Sequence, residues 1–309
     1  MEITASMVKE LREMTGAGVM ACKKALVETD GDYDKAIELL REKGEATAVK
    51  KAGRIAAEGI VMVATDGDSK AAIVEVNSET DFVAKNEKFR NFVTDVVNQI
   101  LTTSATNIDE FTNEPWSKDS SKTVKEELVS QIATIGENMS IRRFEKVEAD
   151  GIVVPYIHGG GRIGVLVEAS ADVVNDDVKE ALKNVAMQVA ALNPKYTSRD
   201  EVSEEFIAHE KEILLAQIKN DPKESQKPEK VIEGMINGRI NKEMKEICLL
   251  DQVYVKAEDG KQTVAKYLEQ VSKEVGGTVA VKRFVRFETG EGLEKKEENF
   301  AEEVAKQMQ

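Results

Sequence analysis

Gly59-Ile60-Val61 returns as Gly151-Ile152-Val153, an offset of 92 positions, and in both places a second apolar run and then an amphipathic helical stripe follow, at residues 89–100 and 181–192. Further along, Thr123-Val124, Leu128, Gly136, Ile141 and Arg143-Phe144 return as Thr263-Val264, Leu268, Gly276, Val281 and Arg283-Phe284, at an offset of 140. Two copies of one unit are written into the chain. Each reads as a hairpin, a helix, a second helix and a closing strand, so each predicts a small antiparallel sheet with helices packed on one face, an α+β fold. The two offsets differ by 48, which places extra chain between the helices of the second copy. That insertion, at about residues 197–249, carries the stripe Phe206, Ile207, Ile213, Leu214, Ile218, a breaker from Asn220-Asp221-Pro222 to Lys227-Pro228, and a returning stripe Ile232, Ile236, Ile240, Met244, Ile247. An antiparallel helical hairpin, a short coiled coil, follows from this pattern. Its leftover apolar face either serves association or folds back on the core.

Upstream of the first copy, Val8, Leu11 and Met14 fall on one helical face, Met20, Ala21, Lys24 and Ala25 follow Gly16-Ala17-Gly18, and Ala36, Ile37 and Leu40 make a third stripe. A three-helix domain is predicted over residues 1–54, with Asp30-Gly31-Asp32 as the turn before its last helix. Its exit is expected to begin at Lys43-Gly44-Glu45-Ala46-Thr47, and residues 48–54 read as a linker or short helix. The first copy then occupies residues 55–148 and the second, with its insertion, 149–288. A C-terminal helical module is expected over 289–309, where Phe300 and Val304 share a face with Met308 one turn on. So short an apolar stripe must dock on something.

Composition limits the partners. Charged residues make up 32% of the 309 positions and aromatics 5%, with a net charge of -14, so phosphate backbones are poor candidates: their binding is driven by clustered Lys and Arg. A protein surface fits better. Residues 1–54 hold ten basic and ten acidic side chains, so the whole excess of acid lies downstream and the N-terminal segment is a separate electrostatic unit. Only Cys22 and Cys248 occur, after a start without a basic-then-apolar leader, which points to a reducing cytoplasm; Cys22, among Val19, Met20 and Leu26, reads as a small buried hydrophobe. No apolar run reaches the ~20 residues that span a bilayer.

Candidate chemistry is sparse. Gly16-Ala17-Gly18-Val19-Met20-Ala21 fits a dinucleotide fingerprint, but the preceding Met7 to Met14 has helical periodicity where that site requires a strand. Gly159-Gly160-Gly161-Arg162 lacks a following Gly-Lys-Ser/Thr and is flanked by apolar strands, so it reads as a hairpin turn. With only His158 and His209, a histidine metal site or a Ser-His-Asp relay has little to work with, and no cofactor is expected. His158, beside the glycine turn, is either an exposed contact or a satisfied turn residue. The most suggestive segment is Thr80-Asp81-Phe82-Val83-Ala84-Lys85-Asn86, directly after the strand-like run Ala71 to Val76. A large aromatic beside an acid at a strand exit suits insertion into a partner. The plain alternative is a helix start with Asp81 as N-cap and Phe82 packed at home.

Several stretches together resemble the bacterial elongation factor Ts family: Ile3-Thr4-Ala5-Ser6 to Arg12, Thr15-Gly16-Ala17-Gly18, Cys22-Lys23-Lys24-Ala25-Leu26, and Thr80 to Asn86. So do Ile135-Gly136-Glu137-Asn138 with Ile141-Arg142-Arg143, His158-Gly159 with Arg162-Ile163-Gly164-Val165, and Arg286-Phe287-Glu288 with Gly290-Glu291-Gly292. The resemblance spans nearly the whole chain. It implies a cytoplasmic guanine-nucleotide exchange factor for the translational GTPase elongation factor Tu, without a chemical active site, with a ubiquitin-associated-like N-terminal domain. By the same resemblance Thr80, Asp81, Phe82 and Val83 form the element that inserts beside the GTPase's nucleotide site and displaces Mg²⁺. His158 is implied near the phosphate loop, and Lys9, Arg12, Met20 and Lys23 with the terminal helix on the nucleotide-binding domain. The insertion is where some members dimerise. A binding scaffold without exchange activity is the alternative, and Phe82 is the residue it would not need.

Overall fold

The computed structural model describes residues 3–15 and 17–294. The expected C-terminal helix with Phe300, Val304 and Met308 lies outside the described residues, as does Gly16. Helices α1 (Ala5–Thr15), α2 (Val19–Glu28) and α3 (Tyr33–Lys51) close around Val8, Leu11, Cys22, Ala25, Leu26 and Ala36. The first of them is the helix that the dinucleotide fingerprint could not tolerate. Asp30 and Gly31 turn the chain at positive φ, and Asp32 caps α3 by accepting from the Lys35 N–H at 3.1 Å. Where an exit was expected at residues 43–47, α3 instead continues to Lys51. Gly44 sits within it, buried, and a Cβ there would stand 3.7 Å from Val129 and from Ala133 on a core helix. Packing against the core outweighs the ~1 kcal/mol that glycine costs a helix.

The first copy runs β1 (Glu58–Asp66), β2 (Lys70–Ser78), α4 (Asp81–Lys85), α5 (Glu87–Ile100), α6 (Ile108–Thr112), the short ribbon β3 (Pro115–Trp116) and β4 (Asp119–Thr123), α7 (Val124–Ile135) and β5 (Met139–Glu148). The second runs β6 (Ile152–His158), β7 (Ile163–Ala171), α8 (Asp176–Leu192), the insertion α9 (Glu204–Asn220) and α10 (Glu229–Ile247), α11 (Val264–Val275) and β8 (Val279–Glu288). Both sheets are antiparallel, in the orders β1-β2-β5 and β6-β7-β8. The residues that recur in sequence recur because they do the same work. Thr123 and Thr263 cap α7 and α11, Gly136 and Gly276 end them in the left-handed conformation, and each central strand bulges, at Glu75/Val76 and at Glu168/Ala169.

Each sheet lays one face on its own helices and the other on its twin. Val61, Ala71, Ile73 and Val147 of the first meet Val153, Leu166, Val285 and Phe287 of the second, giving four layers in the order helix, sheet, sheet, helix. The central strands are covered on both sides, which is why β2 is an apolar run without alternation. Gly164 makes the contact close: a Cβ there would stand 2.4 Å from Val61 Cγ1. The insertion closes mainly on itself, with Ile240 and Met244 against Phe206, Ile207 and Leu214, leaving Ile213 and Val231 exposed. It is rooted by Leu249, fully buried in the second copy's core.

Candidate functional site

The site grows from the exit of β2. Thr80 leaves the strand with extended backbone and its side-chain oxygen accepts from the Val83 N–H at 3.3 Å, so Thr80, and not Asp81, is the N-cap of α4. Val83 and Ala84 turn inward onto the first copy's core. Asn86 then ends α4 and caps α5, accepting from the Lys88 N–H at 2.9 Å, while Phe89 anchors α5 in the core. One turn of helix is thus pinned at both ends with its remaining face outward. On that face Phe82 is 80% exposed, the most exposed large apolar side chain among the described residues. Packing at home, the plain alternative, is not what the fold provides. Asp81 is exposed beside it and pairs with Lys85 Nζ at 2.6 Å; that hydrogen bond holds its carboxyl below the ordinary value of 3.8.

The strand exit is braced by a residue that the sequence pattern did not single out for a role. Glu137, directly after the glycine stop of α7, accepts from the Glu79 N–H at 3.1 Å and the Thr80 N–H at 3.0 Å through one carboxylate oxygen, and from the Thr80 hydroxyl at 2.7 Å through the other. The available signal was an acid placed just past a left-handed helix stop, where a side chain is free to reach across to a neighbouring loop.

The glycine turn between β6 and β7 comes to the same place. Gly159, Gly160 and Gly161 all have positive φ, as the hairpin reading requires. The carbonyl of Gly161 accepts from the Val61 N–H at 2.7 Å, and Arg90 of α5 donates to the Gly160 carbonyl at 3.2 Å and the Ala84 carbonyl at 3.4 Å, tying turn and α4 together. A cleft of about 220 Å³ lies between them, lined by Asp81, Lys85, Arg90 and the three glycines. His158 is exposed at the turn, its Nδ1 3.1 Å from the Tyr156 hydroxyl: a surface residue whose ring is partnered. The structure therefore gathers Thr80 to Val83 and the turn after His158 at one end of the core.

Lys9, Arg12, Met20 and Lys23 are exposed on α1 and α2 and do not line that cleft. Met20, 65% exposed, instead borders a separate groove of about 430 Å³ between the N-terminal helices and α7. No group of three or more His, Cys, Asp or Glu side chains among the described residues is placed to hold a metal ion. Nor is any described helix long and apolar enough to cross a membrane. What the site offers is an apolar projection flanked by a carboxylate and backed by a glycine turn.

A family model described as elongation factor TS matches residues 79–291. The chain is 54% identical over 308 residues to an elongation factor Ts of Clostridium botulinum (strain Eklund 17B / Type B), with 99% of each chain covered. It is 53% identical to those of Clostridium novyi (strain NT) and Clostridioides difficile (strain 630), again with 99% of each chain covered.

Proposed function

This chain belongs to the elongation factor Ts family, the nucleotide exchange factors of elongation factor Tu, and from that premise we propose that it releases GDP by driving Phe82 and Asp81 into the GTPase beside the nucleotide's Mg²⁺. The observation that carries the reading is Phe82, an aromatic ring left in water on a helix whose neighbouring residues are fully engaged. An exposed ring on a pinned turn keeps its shape when it enters a partner, so the free energy of burying it goes into the partner's rearrangement. Mg²⁺ demands near-ideal octahedral geometry, and a small shift of the protein groups beneath it is therefore expensive for nucleotide binding. The carboxylate of Asp81, ionised at neutral pH, faces the same region and disfavours the phosphate side of the bound nucleotide.

His158 and the glycine turn form the second edge of this contact, while Lys9, Arg12, Met20 and Lys23 give affinity at a distance from it. The role needs no nucleophile, base or metal in this chain, and no nucleic acid or membrane surface. The two exposed apolar residues of the insertion, Ile213 and Val231, support self-association there. The test is release of a fluorescent GDP from elongation factor Tu, with parental protein and Phe82→Ala, alongside titration of each complex with GDP at fixed Mg²⁺. By linkage, a factor that weakens nucleotide binding is itself displaced by nucleotide to the same degree. Phe82→Ala is expected to bind still, release GDP more slowly, and resist GDP more than the parent. Equal rates and equal GDP sensitivity would remove Phe82 from the mechanism.

A further inference from the structure

Four residues upstream of the projecting helix, Lys51, Arg54, Glu79 and Thr80, converge on one short stretch of chain, residues 136–138. Glu137 holds the Glu79 and Thr80 N–H groups and the Thr80 hydroxyl. Asn138 N–H donates to the Glu79 carboxylate at 2.6 Å, and the Asn138 side-chain amide donates to the Arg54 carbonyl at 2.7 Å. Arg54 pairs with Glu79 at 3.5 Å, and Lys51, at the end of α3, donates to the Gly136 carbonyl. The stretch is gripped from the N-terminal helices on one side and grips the start of α4 on the other.

The second copy shows what the first would be without this lock. There Asp172 accepts from the Thr278 N–H at 2.8 Å, the counterpart of the bond from Asn138 to Glu79, so the strap itself is shared. At the place of Glu137 stands Gly277, where a Cβ would already be 3.1 Å from Asp172 and 3.2 Å from Val173. No separate short helix precedes α8. The carboxylate is present only where a projecting helix needs holding.

We propose that Glu137 is a positioning residue for nucleotide exchange, fixing the two backbone N–H groups ahead of α4 so that Phe82 enters the partner at one angle. Thr80 has two duties in this arrangement: its hydroxyl proton goes to Glu137 while its lone pair receives the Val83 N–H. Rotation of that hydroxyl is thereby settled, and the first turn of α4 is set relative to the sheet. The ordering is already present in the free protein, so it is not charged against binding. The inference rests on the role of Phe82 given above.

The experiment uses full-length Glu137→Gln, which keeps the side-chain volume but leaves a single acceptor and sets an amide against backbone donors. Phe82→Ala runs beside it. The maximal rate of GDP release at saturating factor is expected to fall roughly ten- to hundredfold, the order associated with a small misplacement of an acting group. The half-saturating concentration should move by less than about threefold, because the distant contacts are intact. Hydrogen exchange at the Glu79 and Thr80 amides should accelerate. Thr80→Val provides a second approach, and the double variant should be no slower than the slower single one, as for two parts of one lock. Should Phe82→Ala slow release while Glu137→Gln matches the parent, the positioning role is wrong and the wedge stands. A shift of half-saturation alone, at parental maximal rate, also overturns it. If Phe82→Ala itself releases at the parental rate, the wedge reading fails and this role with it.

Discussion

The two copies of the repeat differ at different joints. In the first, the helix after the central strand is broken at Asn86 into α4 and α5; in the second it runs unbroken as α8 from Asp176 to Leu192. The second has kept that joint plain and opened the next one, between its two helices, to admit α9 and α10. Each copy is therefore a frame of hairpin, two helices and closing strand, and between its helices the first carries only α6 and the β3–β4 ribbon where the second carries the long pair α9 and α10. The frame itself is shared: the caps, the left-handed stops and the bulges are the same in both. Elaboration at a strand exit yields a small stiff projection, and elaboration between helices yields a long arm.

The copies also differ in how they treat the same acid of the central strand. Glu75 is fully buried, bonded to Arg142 and Arg143 and accepting from the Asn77 amide and the Gly290 N–H. Its counterpart Glu168 pairs across the bulge with Arg283 at 2.7 Å, and that arginine is nearly half exposed and shared with Glu145. Removing one partner of a buried ionic network leaves the others uncompensated, whereas an exposed arginine returns to water. Glu75→Gln is expected to cost about 3 kcal/mol and Glu168→Gln about 1 kcal/mol, read from denaturant unfolding of the full chain. Equal losses would mean that the two sheets are not asymmetric in this way.

A smaller effect is expected at the projection. Phe82→Ala should change unfolding free energy by less than about 0.5 kcal/mol, since the ring touches little, while slowing GDP release about tenfold, equivalent to about 1.4 kcal/mol of barrier. Loss of stability comparable with the loss of exchange would recast Phe82 as a packing residue. For the long arm, replacing residues 204–247 by a short Gly/Ser link keeps Leu249 in the core and should leave release within about twofold while altering mass in solution, measured by light scattering. A collapse of exchange at unchanged mass would make the arm part of the exchange surface.

The smallest effect concerns Asp81. Its carboxyl lies below the ordinary value because of Lys85, so the pair's contribution is present above the unfolded value and is lost as pH falls through the lower folded one. Exchange should therefore not vary with this group between pH 6 and 8, a range set by carboxylate titration well below it. Lys85→Ala should raise the Asp81 midpoint toward 3.8 in an NMR titration, and an unmoved midpoint would show that Lys85 is not its cause.

The duplicated frame was legible because caps, stops and strand patterns are local and repeat with fixed offsets. Phe82 was legible as an aromatic out of place. Its exposure was not, because whether a ring at a helix start turns in or out depends on what Val83 and Ala84 find beneath them. The length of α3 was hidden for a similar reason: Gly44 reads as a stop until α7 is laid against it. Thr80 and Asp81 are both residue types that cap helices, and the carboxylate that settles the choice for Thr80 lies 57 positions away. Lys9, Arg12, Met20 and Lys23 came through resemblance alone, and nothing in their spacing distinguishes them from other solvated helical positions.

Gly290 donates its N–H to Glu75 across 215 positions of chain, and it can do so only as glycine: its φ is 72° and a Cβ would lie 2.1 Å from the Ala57 carbonyl oxygen. During synthesis from the N-terminus, the strand carrying Glu75 appears first. At ~5–20 residues per second the donor that completes its shell follows roughly 10 to 40 seconds later. Until then Glu75 lies on an uncovered face of the first sheet, open to water, because its cover comes from the second copy. The end of the fold thus completes the shell around an acid placed near its beginning. A chain cut short just before Gly290 keeps most of its sequence yet lacks the bond that completes the shell of Glu75.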